Sequence, residues 1–272
     1  MAPIKIAVFI PVRLGSSRLP RKALIEIMGK TLIEHLIDRV KRAKLPNLIV
    51  LCTTRKPEDK IFVKIAEKNG VQCFRGNEHD ILERFHEAAV EHDVDFIVNV
   101  DGDDVFCDPE LMDKTAQTFL DTGASFIKWN NLPLGASPIG IKVEALKKVC
   151  EIKDAMNTET GWGMYFTETG LFDVSYLEPD EELKHPEIRM TLDYPEDLRF
   201  VKEIFKRLYS PGRVFTLREI LRLLKKEPAI ADINKSVQEE YWKRFKKRTN
   251  IKLKSKPKNP RQRAQRNGSE RI

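Results

Sequence analysis

The chain has 272 residues, of which 41% are hydrophobic and 33% are charged, a composition typical of a globular protein and not of a disordered one. No apolar run approaches the roughly 20 residues that a membrane-spanning helix needs, so we expect no membrane span. The formal net charge of +7 is unevenly distributed: 13 of the 48 basic residues but one of the 41 acidic residues lie in 243–272, which leaves −5 on residues 1–242. The overall charge is therefore no indication that the folded part binds nucleic acid.

The N-terminus and the cysteines favour a cytoplasmic protein. The apolar run 4–12 is short, lacks a cleavage site and leads into basic residues, which predicts a strand and not a signal peptide. The four cysteines, Cys52, Cys73, Cys107 and Cys150, are far apart and form no CxxC pair. Three of the four lie in or beside apolar runs. We expect reduced thiols in the core, without disulfides or a zinc site.

The first half of the chain alternates short β-branched runs with amphipathic segments. The predicted strands cover 4–12, 48–52, 71–74, 95–100 and 124–129, and the predicted helices cover 31–43, 57–70, 81–92 and 109–123. Most of the strands are apolar at successive positions, as in strands that are buried on both faces. This alternation predicts an α/β fold with a mainly parallel sheet and helices on both faces. The functional loops should follow the carboxyl ends of the strands.

The second half is less regular. It predicts a strand within 137–143 and helices at about 144–153, 196–209, 216–226 and 237–247. From about residue 250 onward apolar residues are scarce and basic residues are frequent. We therefore expect one folded domain over 1–249, followed by a basic disordered tail over 250–272.

The stretch FIPVRLGSSRLPRKAL places a Gly-Ser-Ser turn directly after the first predicted strand, together with four basic side chains: Arg13, Arg18, Arg21 and Lys22. The stretch does not match the GxxxxGK[ST] phosphate loop. Backbone N–H groups of such a turn, flanked by cations, can nevertheless bind an anion, and this number of cations suits a triphosphate better than a monophosphate. A solvated surface loop is the alternative that these residues leave open.

The stretch NVDGDDVFCDP brings three carboxylates together after the fourth predicted strand, at Asp101, Asp103 and Asp104. Carboxylates at a strand end repel one another unless a cation binds them, and oxygen ligands suit Mg²⁺ or Mn²⁺. The alternative is an acidic turn that leads into a helix, which we favour for Asp108 because a proline follows it. Asp193, in TLDYPEDL, is explained by helix capping unless it is a partner of Asp103.

Four motifs, in order along residues 6 to 205, resemble those of one enzyme family. IPVRLGSSRLPRKAL is similar to the IPARxGSxRLPGKxL signature of the cytidylyltransferases that activate acidic sugars, which include the 3-deoxy-manno-octulosonate, acylneuraminate and spore-coat-polysaccharide types. RGNEHDILERFHEAA, VNVDGDDVFCDPELMD and TLDYPEDLRFVKEIF resemble further motifs of the family. The resemblance implies a Rossmann-like nucleotidyltransferase fold.

The resemblance also implies roles for individual residues. Those that would bind the CTP phosphates are Arg13, Leu14, Gly15, Ser16, Ser17, Arg18 and Lys22. Those that would line the rest of the nucleotide pocket are Thr53, Thr54, Arg75, Gly76, Asp80, Arg84 and Asp101. Mg²⁺ would be bound by Asp103 and Asp193, and the catalytic residues would be Arg13, Lys22, Asp103 and Asp193.

The reaction that the resemblance implies is transfer of CMP from CTP to a hydroxyl group of an acidic sugar, with release of pyrophosphate. An insertion over about 129–187 would contact the acceptor and join two copies of the chain in a homodimer. Within it, NTETGWGMYF at 157–166 replaces the REHVTPY segment of the spore-coat type. This departure leaves open which sugar is the acceptor and whether the chain is active.

Other interpretations stay open on the sequence. Asp101-Gly102-Asp103 is formally the DxD motif of GT-A-type glycosyltransferases, although the basic first loop fits a free triphosphate better than a nucleotide sugar. The basic tail lacks aromatic residues, so it would bind nucleic acid or another anionic surface only without sequence preference and in a salt-sensitive way. Trp162, between two glycines, is either a flexible lid over a site or a structural side chain.

Overall fold

The structure is a computed structural model that describes residues 3–249 and 251–254. Its strands in chain order are β1 (Ile6–Pro11), β2 (Glu26–Ile27), β3 (Lys30–Thr31), β4 (Leu48–Thr54), β5 (Gln72–Gly76), β6 (Phe96–Asn99), β7 (Phe126–Trp129), β8 (Ile139–Lys142) and β9 (Val174–Leu177). Seven of them form one sheet in the order β5-β4-β1-β6-β8-β7-β9, and β2 and β3 form a separate hairpin.

The sheet is mostly parallel, which confirms the predicted fold class. Strand β1 pairs in parallel with β4 on one side and with β6 on the other, and β4 pairs in parallel with β5. Strand β8 is antiparallel to both of its neighbours, β6 and β7, and β9 closes the edge parallel to β7. All the predicted strands are present within a few residues of their predicted ends, whereas β9 and the β2–β3 hairpin were not predicted.

The helices are α1 (Leu32–Val40), α2 (Ile61–Lys68), α3 (Ile81–Glu91), α4 (Pro109–Thr122), α5 (Val143–Ile152), α6 (Met164–Thr167), α7 (Pro195–Leu208), α8 (Leu217–Lys226), α9 (Ala229–Asp232) and α10 (Ser236–Arg248). The predicted helix at 57–70 is a 3-10 turn over Pro57–Lys60 that continues into α2. Short α6 and α9 were not predicted, because a single turn carries too little apolar periodicity to be distinguished from a loop.

The apolar alternation of β1 separates two layers of the core. Ile6, Val8 and Ile10 pack with α1, α2 and α4 on one face of the sheet, whereas Ala7 and Phe9 pack with α3 and α5 on the other. Burial on both faces explains why the sequence of β1 is continuously apolar. A third cluster joins α7 and α8 to the segments that follow β6 and β7, and thereby fixes the chain on either side of Asp193.

The predicted boundary of the tail at residue 250 is too early. Ile251 and Leu253 pack against the core layer that contains α5, and Leu253 forms a β-bridge with Lys153. Lys254 N donates to Ile152 O at 2.9 Å, which continues this pairing. Two apolar side chains in an otherwise basic segment were too weak a pattern to predict this contact. Residues 255–272 of the predicted tail lie outside the described residues.

Two further sequence expectations concern the membrane and the thiols. Across the described residues, no helix combines the length and the apolar character that crossing a bilayer requires. Cys52, Cys73, Cys107 and Cys150 are all free, and the first and third are buried. Burial raises the pKa of each of these thiols and so disfavours the reactive thiolate form.

Candidate active site

A cavity of about 460 Å³ opens at the carboxyl ends of β1 and β6. From β1 the chain proceeds to β4 and β5 on one side, and then crosses to β6 on the other side of β1. Open α/β sheets bind their ligands in the crevice that such a reversal of strand order creates. The loop that follows β1 and the acidic loop that follows β6 both line this cavity.

The loop after β1 is held from behind and leaves its turn open to the cavity. Leu14 N donates to Asp59 Oδ1 at 2.8 Å, and the Leu14 side chain is buried in the core, so Leu14 anchors the loop without lining the cavity. A Cβ atom added at Gly15 would have no neighbour within 4 Å, which shows that the backbone there faces open space. The predicted phosphate-binding residues that line the cavity are Arg13, Gly15, Ser16, Ser17, Arg18 and Lys22.

Lys22 connects this loop to both carboxylates that were predicted to bind a metal. Its Nζ lies 2.5 Å from Asp103 Oδ2, 2.8 Å from Asp193 Oδ1 and 2.7 Å from Leu192 O. Arg18 Nη2 also contacts Asp193 Oδ1, at 2.7 Å. Asp103 and Asp193 therefore lie in one site, where a lysine ammonium group joins them.

Asp193 does not cap helix α7, which removes the alternative explanation for it. Asp197 takes that role, since its Oδ2 accepts from Asp193 N and from Tyr194 N, both at 2.9 Å. Asp197 is held in turn by the buried Arg189, whose Nε and Nη2 donate to it at 2.8 and 2.9 Å. The Asp193 side chain is thereby left to the cavity.

The acidic loop forms a group of oxygen ligands that fits a divalent cation. One carboxylate oxygen each from Asp101, Asp103 and Asp104 lies within 4.8 Å of the others. Asp193 is not part of this group, because Lys22 lies between it and Asp103. Asp108 instead caps α4 by accepting from Glu110 N at 2.9 Å, as expected for it.

The electrostatics of these carboxylates support the same conclusion. Burial and repulsion by Asp103 raise the pKa of Asp101 to about 6, and the same two causes raise the pKa of Asp104 well above its usual value. Burial also opposes ionisation of Asp193, but Lys22 and Arg18 outweigh it and lower its pKa. The protein's own charges thus compensate Asp193 but not Asp101 or Asp104, and this deficit fits Mg²⁺ at the acidic loop.

Glu159 is a charged residue of the cavity that sequence analysis missed. Its Oε2 lies 3.3 Å from Arg13 Nη1, and its Oε1 lies 2.8 Å from Arg84 Nη2. Arg84, on α3, is 2% exposed and also donates to Asn77 O at 2.6 Å. Glu159 lies in the 157–166 segment that departs from the family motif, where no regular pattern indicated that it faces the nucleotide loop.

Five residues predicted for the nucleotide pocket lie outside the cavity and support it structurally: Thr53, Thr54, Arg75, Gly76 and Asp80. Arg75 donates to backbone oxygens of β4 and of the turn after it, at 3.1 and 2.7 Å. A Cβ atom on Gly76 would lie 2.9 Å from Arg84 Cγ, so a glycine there lets α3 pack closely.

Of the other three residues outside the cavity, Asp80 and Thr54 have side-chain partners within the protein and Thr53 has none among the described residues. Asp80 caps α3 by accepting from Glu83 N at 3.1 Å, and it also pairs with Lys153. Thr54 Oγ1 hydrogen-bonds to Asp59, whereas Thr53 Oγ1 is buried without a partner among the described residues. Of the residues predicted for this pocket, Arg84 and Asp101 line the cavity.

The far wall of the cavity is formed by the second half of the chain. Trp162 is 6% exposed and packs edge-on against Phe85 and Phe126, so it is a structural side chain and not a lid. Helix α10 contributes Tyr241 and Arg244 to the wall, although its short amphipathic pattern gave no sign of such a position.

Comparison with known proteins agrees with this geometry. A family model described as Cytidylyltransferase matches residues 7–233. The chain is 32% identical to an uncharacterized protein of Methanocaldococcus jannaschii over 88% of this chain and 98% of that one. It is 28% identical to the spore coat polysaccharide biosynthesis protein SpsF of Bacillus subtilis over 83% of this chain and 96% of that one. A solved cytidylyltransferase from Leptospira borgpetersenii superposes with a TM-score of 0.77 at 26% identity, over 84% of this chain and 97% of that one. The chain therefore belongs to the cytidylyltransferase family, whose members are CTP-dependent nucleotidyltransferases.

Proposed function

We propose that this protein transfers CMP from CTP to a hydroxyl group of an acidic sugar and releases pyrophosphate. The observation that carries the proposal is the position of Lys22, which joins a glycine-serine loop to Asp103 and Asp193 at the point where the strand order reverses. A triphosphate on the open backbone of this loop would place its phosphates beside Arg13, Arg18 and Lys22.

The charges in the cavity explain why a divalent cation belongs to the proposal. Each predicted phosphate-binding cation is already paired with a carboxylate: Arg13 with Glu159, Arg18 with Asp193, and Lys22 with Asp103 and Asp193. A triphosphate must therefore bind where the protein's own charges nearly cancel. Asp101, Asp103 and Asp104 would hold Mg²⁺ at this place, and Asp193 remains a predicted fourth ligand.

In the proposed reaction the sugar hydroxyl oxygen forms a bond to the α-phosphorus of CTP, and the bond from that phosphorus to the bridging oxygen of the β-phosphate breaks. The pair of electrons leaves with pyrophosphate, and the hydroxyl proton passes to solvent. Mg²⁺, when bound, would supply charge neutralisation at the phosphate oxygens. Lys22 and Arg18 would orient the phosphates and stabilise the charge on the leaving group, so this chain contributes positioning and electrostatics.

The far wall supports an acceptor that carries a negative charge. Lys128, at the end of β7, and Arg244, on α10, both line the cavity. Within residues 3–249 and 251–254 no carboxylate pairs with Lys128, and Arg244 pairs with Glu240 on its own helix at 3.5 Å. Lys128 is therefore available to a carboxylate of the acceptor, and Arg244 would have to exchange its contact with Glu240 for one. The relative SpsF, whose name refers to spore coat polysaccharide biosynthesis, is consistent with a sugar acceptor.

A glycosyltransferase is the second candidate, because Asp101-Gly102-Asp103 retains the DxD pattern. The family match and the pairing of Lys22 with both aspartates favour nucleotidyl transfer over it. The third candidate is a catalytically inactive relative, because the segment 157–166, which would contact the acceptor, differs from the family motif.

The test is release of pyrophosphate from each of the four nucleoside triphosphates, with Mg²⁺ and a panel of 2-keto-3-deoxy sugar acids. We expect release with CTP and with one class of acceptor, and none after chelation with EDTA until Mg²⁺ is restored. Asp103→Asn should abolish release, whereas the matched control Asp121→Asn, at the exposed end of α4, should leave it unchanged. If no acceptor of the panel supports pyrophosphate release and the protein binds a nucleotide sugar, the glycosyltransferase would be favoured instead.

A further inference from the structure

A second cavity, of about 360 Å³, lies between α1 and the segment that connects α7 to α8. It shares no lining residue with the active-site cavity. Its walls combine apolar and aromatic side chains, including Val105, Phe205 and Phe215, with basic side chains at the rim. Volumes of this size accommodate small organic ligands.

Arg39, on α1, is the buried charge of this cavity. Arg39 is 3% exposed, and its guanidinium carbon lies 4.9 Å from the centroid of the Phe215 ring. Its Nη1 atom is fully buried and has no hydrogen-bond partner among the described residues. A guanidinium group that is removed from water without a carboxylate partner lowers the stability of the fold, so a role for its charge is expected.

The two carboxylates that act electrostatically on Arg39, those of Asp108 and Glu219, bind other groups. Asp108 accepts from Glu110 N and from Leu217 N, at 2.9 and 2.7 Å. Glu219 accepts from Thr216 N at 2.9 Å and pairs with Arg213. Burial outweighs both acids and lowers the pKa of Arg39 to about 10, which agrees with a cation that has no carboxylate partner among the described residues.

The rim adds positive charge at Lys41 and Arg42, which pair with no carboxylate within residues 3–249 and 251–254. Lys41 Nζ donates to Asn69 O at 2.5 Å, and Arg42 Nη2 donates to Gly212 O at 3.0 Å, so both side chains are bound to backbone oxygens. Lys30, by contrast, is paired with Asp38 at 2.5 Å. The cavity is therefore net positive, with a buried arginine inside and an aromatic wall next to it.

We propose that this cavity binds a small phosphate monoester that carries an apolar or aromatic group, with the phosphate paired to Arg39 and the apolar group against Phe205 and Phe215. A dianionic phosphate matches the several cations, and the aromatic wall gives the rest of the ligand its contact area. The ligand would also touch Val105, which directly follows Asp104 in the acidic loop of the active site.

The experiment is a calorimetric titration of the full-length protein with phenyl phosphate, and separately with inorganic phosphate and with phenol. We expect phenyl phosphate to bind more tightly than inorganic phosphate, and phenol to bind more weakly than both. Arg39→Met should weaken phenyl phosphate binding by about tenfold or more, because a charge-assisted hydrogen bond is lost. Arg42→Gln, at an exposed rim residue, should weaken it by about threefold.

The matched control is Lys22→Met, which removes a cation from the other cavity. If Lys22→Met still binds phenyl phosphate and Arg39→Met does not, the result supports binding in the second cavity. If Arg39→Met still binds phenyl phosphate and Lys22→Met does not, the anion binds in the active site and the proposal is overturned. Absence of phenyl phosphate binding to the unmodified protein would overturn it as well.

Discussion

Lys22 holds together parts of the site that come from distant positions in the sequence. Its ammonium group contacts a carboxylate after β6 and another one before α7, while its own backbone belongs to the loop after β1. Burial lowers the pKa of Lys22, but Asp103 and Asp193 outweigh this and raise it, so the two carboxylates stabilise the ammonium form.

Replacing Lys22 by methionine should therefore reduce kcat/KM for CTP by about a hundredfold or more, the usual effect of removing one electrostatic contact to the transition state. Steady-state pyrophosphate release measures it. The matched control is Lys30→Met, which should leave kcat/KM unchanged. It removes an ammonium group that pairs with Asp38 on the surface. Similar losses in both variants would show that Lys22 has no special role.

Glu159 competes with phosphate for the same cations. Glu159→Gln removes a negative charge next to Arg13 and Arg84. We therefore expect KM for CTP to fall by about fivefold, which corresponds to the roughly 1 kcal/mol between two unit charges 4 Å apart in water. The same change leaves the buried Arg84 without a carboxylate and should lower the free energy of unfolding by about 1–3 kcal/mol. Kinetics and denaturant titration measure the two effects, and a rise in KM would contradict the competition.

Single residues were predictable to the extent that a local motif contained them. The basic loop and the acidic loop were recognisable because each follows an apolar strand, and Asp103 could be matched with Asp193 only through the family resemblance. Thr53, Arg75 and Asp80 were placed in the pocket by the same resemblance, but in the structure they support the loops from outside it. Glu159 could not be predicted, because its position depends on how an irregular segment folds back onto α3.

At the scale of single elements, α1 shows how local chemistry fixes a helix. Thr31 and Glu34 form a capping box, in which Glu34 Oε2 accepts from Thr31 N at 2.9 Å. Lys68 Nζ donates to Glu34 Oε1 at 2.7 Å and links α2 to α1. Burial of Glu34 works against its ionisation, but Lys68 and Thr31 lower its pKa to about 2.

The capping box predicts a pH-dependent contribution to stability. Because the pKa of Glu34 is lower in the folded protein than in the unfolded chain, its contribution is fully present above about pH 4.5 and is lost as the pH falls towards 2. Glu34→Gln should lower the free energy of unfolding by about 1 kcal/mol at pH 7, because the ion pair with Lys68 is lost. Urea titrations of both proteins between pH 7 and pH 3 should show the difference shrinking, and a constant difference would contradict the role of the ionised carboxylate.

The elements that were predicted are those with a long periodic pattern. Strand β1 is apolar throughout, β4 and β6 are apolar up to their polar last residues, and α1 and α4 have a continuous apolar face with recognisable first residues. Strand β9 escaped prediction because it is only half buried and its sequence, VSYL, is bounded by polar residues. The antiparallel direction of β8 also could not be read locally, since strand direction depends on the path of the connecting segments.

At the scale of the whole molecule, the structure divides the basic C-terminal region into parts with different roles. Helix α10 lines the active site, and Ile251 and Leu253 pack against the core. Deleting 255–272 should leave both turnover and stability unchanged, since that segment has almost no apolar content. Deleting 251–272 should lower the free energy of unfolding by about 1–3 kcal/mol through the loss of two apolar contacts.

Thermal and urea unfolding of the two truncated proteins provides the measurement, with pyrophosphate release as the readout of function. A loss of turnover on removal of 255–272 alone would show that the catalytic domain extends beyond residue 254. Equal stability of the two truncated proteins would show that Ile251 and Leu253 contribute nothing to the core.

The central claim is that the site transfers a cytidylyl group, and the most direct measurement follows the label of CTP. With [α-³²P]CTP, Mg²⁺ and the sugar acid that supports pyrophosphate release, the label should appear in a product that contains both CMP and the sugar. With [γ-³²P]CTP it should appear in pyrophosphate. Transfer of the γ-label to the sugar, or formation of a product only from a nucleotide sugar, would contradict the claim.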